Sequence, residues 1–295
     1  MKFPLSIETV SVFAEGLDHS ECIAVHPDGS VWAGGEAGQI YRISSDGKTV
    51  EEIASTGGFV QGVAFAPGAR WLAACDPGNR CVWKVDPVNG KSEKFATGAD
   101  GEQFNIPNYA AFDRAGNLYV SESGNFRQVN GKIFRFAPDG SGRIWHPGPF
   151  NFANGLAVSA GETHLYVACT WLPGVERIAI REDGTAGERE VVARFPKTCP
   201  DGLAFDREGN LYVSFYTPNT ISRVTPAGEI QLVVEDWEAH TLSNPTNIAF
   251  GGEEFNQLFV ANLGRWHISR VSLPARGLPL ASHAAETSPE SEIRN

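Results

Sequence analysis

Six polar residues recur at one position of a repeating unit, and their types define the chemistry. They are Glu21, Gln61, Asn108, Asn154, Asp201 and Thr246, at intervals of 40, 47, 46, 47 and 45 residues. Each stands just before a short apolar run of buried-strand type, as in SECIAV, ANGLAV and CPDGLAF. If those runs share one direction around a common axis, the six side chains form a ring at one end of it. Glu21, Asn154 and Asp201 then point toward one another, with Asn108 beside them. Two carboxylates gathered near an axis repel, and burial raises the cost. A divalent cation removes the conflict. Carboxylate and amide oxygens are hard ligands, suited to calcium or magnesium and not to copper. The ring holds no His, which disfavours zinc. The spacing also permits a plainer reading, because Asn154-Gly155 and Asp201-Gly202 are turn dipeptides as well.

The elements that must position this ring are internal repeats. CPDGLAFDREGNLYVSF (residues 199–215) reads as an acid at a strand entrance, an apolar strand, a polar turn and a returning strand. IPNYAAFDRAGNLYVSE (residues 106–122) repeats it, and further copies begin at Ser20, Val60, Ala153 and Pro245. Each unit continues into a third strand, such as GQIYRIS or GKIFRFA, and most add a fourth, such as TVEEIAS or EIQLVVE. Four strands in about 40–50 residues describe a propeller blade. The predicted fold is all-β: a six-bladed β-propeller with four antiparallel strands per blade. The sixth unit lacks a fourth strand of its own, and SIETVSVFAE (Ser6 to Glu15) is expected to supply it from the N-terminal side, closing the ring. Residues 1–280 then form one domain, and the polar tail 281–295 is expected to be flexible.

Strand direction decides which loops share the ring's face. Those between second and third strands do, and they carry Phe126, Arg127, Trp171, Tyr216, Arg265, Trp266 and His267. His267 is a candidate proton carrier near neutral pH, and His19 a candidate partner behind Glu21. Asp113 and Asp206 fall in far-end turns and are read as structural. The net charge of −11 and the lack of any Lys/Arg run argue against nucleic acid. No apolar stretch approaches the ~20 residues of a membrane helix. MKFPLSIETVSVF lacks the continuous apolar region of a signal peptide, so a cytoplasmic protein with a small-molecule substrate is expected. Five cysteines without such a signal suggest reduced thiols. A Cys75–Cys81 pairing across the loop DPGNR is left open, as is the oligomeric state.

At these residues the chain resembles the senescence marker protein/gluconolactonase family, also called the sugar-lactonase and luciferin-regenerating group, from Ser6 to Leu280. The motifs are FANGLAVS around Asn154, CPDGLAFDREGNLYVS around Asp201 and IPNYAAFDRAGNLYVSES around Asn108. The resemblance implies one divalent metal on the channel axis, calcium first, with magnesium, manganese or zinc as alternatives. It places the ligands at Glu21, Asn154 and Asp201, and a residue touching substrate or water at Asn108. It implies a metal-dependent lactonase, a carboxylic ester hydrolase. Asp201 orients or deprotonates the attacking water, or the cation activates that water while His267 carries the proton. Three departures bear on the substrate. Glu21-Cys22-Ile23 replaces Glu-Gly-Pro, Ile106 stands where sugar lactonases of the family often carry Arg, and Tyr109 follows Asn108 in place of Asp. They point to a lactone less polar than gluconolactone, with Ile106, Phe126, Trp171, Tyr216 and Trp266 lining its entry and Phe104 contributing. The rivals are a phosphotriesterase-like hydrolase on the same site, as in diisopropylfluorophosphatases, and a non-catalytic ligand-binding propeller with a structural ion. A strictosidine synthase-like lyase shares the fold but would not need this ligand set.

Overall fold

Apolar runs placed nearest the axis and charged strands placed at the rim produce six four-stranded antiparallel sheets. The computed structural model describes residues 3–283. The inner strands are Cys22–Val25, Gly62–Phe65, Pro107–Phe112, Ala153–Val158, Cys199–Phe205 and Pro245–Gly251, one in each of blades 1 to 6. The second strands are as apolar as the inner ones: Val31–Gly34, Leu72–Asp76 and Leu118–Glu122 are buried at every position. Outermost strands such as Val50–Ser55 and Ser92–Ala96 carry exposed glutamates and lysine. Burial therefore falls from axis to rim, and the sequence follows it.

Inner strands of neighbouring blades lie side by side from blade 1 round to blade 6 and back, so the ring closes. Each blade cannot bury its own faces, and one apolar cluster fills each of the six seams. Edge-to-face aromatic pairs lock several seams, among them Trp32 against Phe65 at 5.4 Å and Tyr166 against Phe205 at 4.9 Å. Blade 6 is completed as the repeat count predicts. Val10–Glu15 forms its outermost strand and pairs with His267–Ser272, in the register Val10 to Val271 and Glu15 to His267. No open edge is left between first and last blades.

Three findings go beyond the repeat. A small hairpin, Gly98–Ala99 with Glu102–Gln103, is inserted before blade 3. A strap formed by residues 276–283 crosses the far end of the channel. Gly277 N donates to Phe255 O at 2.7 Å, Leu278 N donates to Phe205 O at 2.9 Å, and Ala281 is buried in the seam of blades 2 and 3. The tail read as flexible from residue 281 thus begins with a buried 3-10 turn, Ala281–His283. Its remainder, residues 284–295, lies outside the described residues. The five cysteines are free. Cys75 faces Val82 and Cys81 faces Asp76 across the strand pair, which puts the two thiols one position out of register. No helix among the described residues is long and apolar enough to cross a membrane.

Candidate metal centre and active site

Sequence spacing places the ring residues ahead of the inner strands, and Glu21 and Gln61 do sit there. The other four lie inside their strands. Strand pairing breaks between Pro107 and Tyr109, Ala153 and Leu156, Pro200 and Leu203, and Pro245 and Asn247. A bulge leaves a residue unpaired and re-aims its side chain. Here it frees Asn108, Asn154, Asp201 and Thr246 from the ladder. The glycines that follow serve close packing, not turns. A Cβ on Gly155 would lie 2.2 Å from Asp201 O, and one on Gly62 would lie 2.3 Å from Asn108 O. Only glycine lets adjacent inner strands approach that closely.

The ring is buried and acidic. Glu21, Asn108, Asn154 and Asp201 are buried, none more than 8% exposed. The Asn154 amide donates to Thr170 Oγ1 at 3.2 Å, and the Thr170 hydroxyl donates to Pro200 O at 2.9 Å. Burial pushes the Glu21 carboxyl up to about 8, opposed in part by Gln61, with the Glu36 carboxylate adding a smaller rise. Burial likewise raises Asp201 well above the carboxylate range, with the Glu21 charge next and Asn154 opposing. Glu21 Oε2, Gln61 Oε1 and Thr246 Oγ1 are buried oxygens without a hydrogen-bond partner among the described residues. Buried acceptors without donors and two carboxylates without countercharge are costly. An oxygen-preferring divalent cation satisfies both, so the residues present fit such an ion.

Directly below the ring the channel has a floor that sequence reading missed. The Tyr109 hydroxyl donates to Asn247 Oδ1 at 3.1 Å, joining blade 3 to blade 6 across the axis. Both follow a ring residue, and a Tyr in place of a small acid was the available signal. Beneath them is an apolar cavity of about 100 Å³, lined by Ile23, Val63, Leu156, Leu203 and Ile248 and closed by Leu278–Ser282 of the strap. Entry to the ring is therefore from the opposite face.

That face carries most of the aromatic residues assigned to it. Phe126, Tyr216 and Trp266 are exposed, and Trp171 is half-buried. Ile106 is half-buried, and its N–H donates to Glu122 Oε1 at 2.9 Å. Glu122, which spacing did not single out, also accepts from Asn105 N and Gly124 N at 2.9 Å each. It ties the approach to Asn108 to the mouth loop. Phe104 is not at the mouth: it lies 1% exposed in the core, edge-on to Phe134 at 4.9 Å. His267 opens the third strand of blade 6, buried, with Nε2 3.0 Å from Thr241 O. No hydrogen bond links it to the ring among the described residues. His19 stands on the rim instead, its Nδ1 3.3 Å from both Asp18 and Glu36 and its ring 4.9 Å from Trp266. Asp113 and Asp206 bind their own far-end turns, through Asn117 and Asn210.

A family model described as the SMP-30/gluconolactonase/LRE-like region matches residues 61–263. A gluconolactonase of Zymomonas mobilis is 28% identical over 214 residues, which are 66% of this chain and 58% of that protein's length. Among solved structures, a gluconolactonase of Xanthomonas campestris superposes with a TM-score of 0.77 at 22% identity, over 90% of this chain and 89% of that one. Regucalcin from Agrobacterium tumefaciens, described as a calcium-binding protein, superposes with a TM-score of 0.73 at 17% identity, over 92% and 96%.

Proposed function

Because the chain belongs to the SMP-30/gluconolactonase/LRE-like family, we propose that it hydrolyses a lactone at the axial ring, with a divalent cation held by Glu21, Asn154 and Asp201. The observation that carries this reading is the pair of buried carboxylates, Glu21 and Asp201, in a ring where Glu21 Oε2, Gln61 Oε1 and Thr246 Oγ1 have no hydrogen-bond partner among the described residues. When bound, the cation supplies Lewis-acid polarisation of the lactone carbonyl. The chain's own residues do the rest. Asp201, oriented by Asn154, accepts a hydrogen bond from a water and takes its proton as that oxygen bonds to the carbonyl carbon. The ring C–O bond then breaks, and the proton passes to the departing oxygen, leaving a hydroxy acid. Asn108 positions the substrate from blade 3. The Tyr109–Asn247 floor keeps bulk water from reaching the ring from below.

Ile106, held by Glu122, and the aromatic rim favour a lactone whose body is less polar than gluconolactone. Calcium is the first candidate on donor chemistry, and the calcium-binding description of regucalcin agrees with it. The test is a panel of alkyl and sugar lactones assayed with calcium and with chelator. Turnover should require the metal and should favour the less polar members. Metal-independent turnover, or preference for gluconolactone, would count against the corresponding half of the reading.

A further inference from the structure

The two sides of the mouth carry different charged groups, with Arg265 also on the first and Glu122 at the base of the second. Blades 6 and 1 contribute one wall: Asp18 and Glu36 flank His19, which stacks on Trp266. Blades 3 and 4 contribute the wall diametrically across the ring, where Arg127 stands on the mouth loop between the second and third strands of blade 3. Its guanidinium lies 5.3 Å from the Phe126 ring and 5.7 Å from the Trp171 ring. Phe126 and Trp171 pack edge to face at 5.3 Å, with Phe152 5.8 Å behind Trp171. Two aromatic faces fix the cation in place while leaving its N–H groups free to bond.

Those donors are uncommitted. Arg127 is exposed and has no carboxylate partner among the described residues; the ion-paired lysines and arginines lie elsewhere. Arg265, another guanidinium of the mouth, is by contrast spent on Ala239 O at 3.0 and 3.1 Å. A second donor on the same wall also lacks an acceptor: Trp171 Nε1 is buried without a partner. The wall connects directly to the ring. Trp171 follows Thr170, the hydroxyl that holds Asn154.

We infer that Arg127 determines specificity by binding an anionic substituent, a carboxylate or a group of like charge, on the lactone that the proposed reaction opens. The inference rests on the lactonase reading for the identity of the ring that carries the substituent. A substrate with an apolar body and one anionic group would be oriented by the field across the mouth. Arg127 attracts the substituent while Asp18 and Glu36 on the opposite side repel it, so the ester is presented to the axis in one orientation. Planar, two-point recognition of a carboxylate is what a guanidinium supplies and an ammonium does not.

The experiment uses the full chain with calcium and a substrate pair differing only in charge: 5-oxotetrahydrofuran-2-carboxylate and its methyl ester. In the native protein kcat/KM should favour the carboxylate, and the preference should shrink as salt is raised. Arg127→Gln should reduce that carboxylate-to-ester ratio by about tenfold, and Arg127→Lys should restore part of it. A native protein without preference, or an Arg127→Gln variant with an unchanged ratio, overturns the inference. Binding of cyclopentanecarboxylate against cyclopentanecarboxamide, titrated calorimetrically, decides the same question without catalysis. The ratio of their Kd values should shift by a similar factor in Arg127→Gln, and an unshifted ratio overturns the inference. Failure of the native protein to open either lactone would overturn the lactonase reading alone, since the calorimetric comparison still judges Arg127.

Discussion

Asp201 and Asp206 are five residues apart and do opposite work. Asp201 belongs to the ring, where its charge is opposed by burial and by Glu21. Asp206 is 1% exposed, but it accepts from Asn210 N, Asn210 Nδ2 and Glu208 N in a far-end turn. Asp201→Asn keeps an oxygen and removes a charge, so the metal-free fold should be no less stable than native. Its kcat should fall at least about a hundredfold, with no rescue by excess metal. Asp206→Asn should lose about 1–3 kcal/mol of stability and leave kcat of the folded protein nearly unchanged. Kinetics over a metal titration, with urea unfolding of both variants, separates them; recovery of kcat in Asp201→Asn at saturating metal would reduce Asp201 to a ligand. The Glu21 shift gives a pH prediction for the metal-free protein. Its carboxyl moves from 4.5 to about 8 on folding, so the folded state holds the proton more tightly across that window. That contribution is complete below pH 4.5 and is lost as pH rises through about 8. A cation binds the ionised form, so metal affinity should rise over the same window. Melting temperatures with and without calcium should therefore diverge between about pH 5 and about pH 8, and parallel curves would contradict the assignment.

Inner strands are the elements that convert a repeat into a site. Each must bring a polar side chain to the axis while its neighbour's backbone passes within van der Waals contact. The bulges do the first and the glycines the second. Gly155→Ala would set a Cβ against Asp201 O, a backbone atom with little room to move. It should cost about 1–3 kcal/mol and, if Asp201 holds the cation as proposed, also lower metal affinity, because the strain falls on that residue. Gly161→Ala, whose Cβ would meet only Thr163 Cγ2 at 3.7 Å, is the control and should be nearly neutral. Denaturant midpoints and calcium titrations of the two variants make the comparison. Equal stability would mean that the strands can separate without cost.

Closure belongs to the whole molecule. The outermost strand Val10–Glu15 joins the two ends of the ring, and it brings Phe13 and Ala14 into the seam of blades 6 and 1. Deleting residues 1–16 exposes the edge of His267–Ser272 and opens that seam. The shortened protein is expected to unfold at a markedly lower urea concentration and to associate through the bare edge. Size-exclusion chromatography and unfolding curves would reveal it; a monomer of native stability would show that closure is not carried by this strand. The strap of residues 276–283 closes the other opening, the far end of the channel, and makes the molecule one-faced.

Much of this was legible in the chain itself. Repeats of 40 to 47 residues set the blade number, the missing fourth strand of the last unit located the closing strand, and common register gathered Glu21, Asn154 and Asp201. These features are local or periodic, and a period survives without coordinates. Tertiary structure decided what depends on approach between distant segments. Asn108 and Asp201 reach the axis through bulges, which pairing creates and composition does not announce. The Tyr109–Asn247 floor joins residues 138 positions apart. His267, assigned to a loop by its neighbours in sequence, became buried once Thr241 met its ring, and the strap became structure only where blades 5, 6 and 2 meet beneath it. Such contacts form because a closed ring brings opposite blades face to face, and no stretch of one blade encodes what stands across the axis.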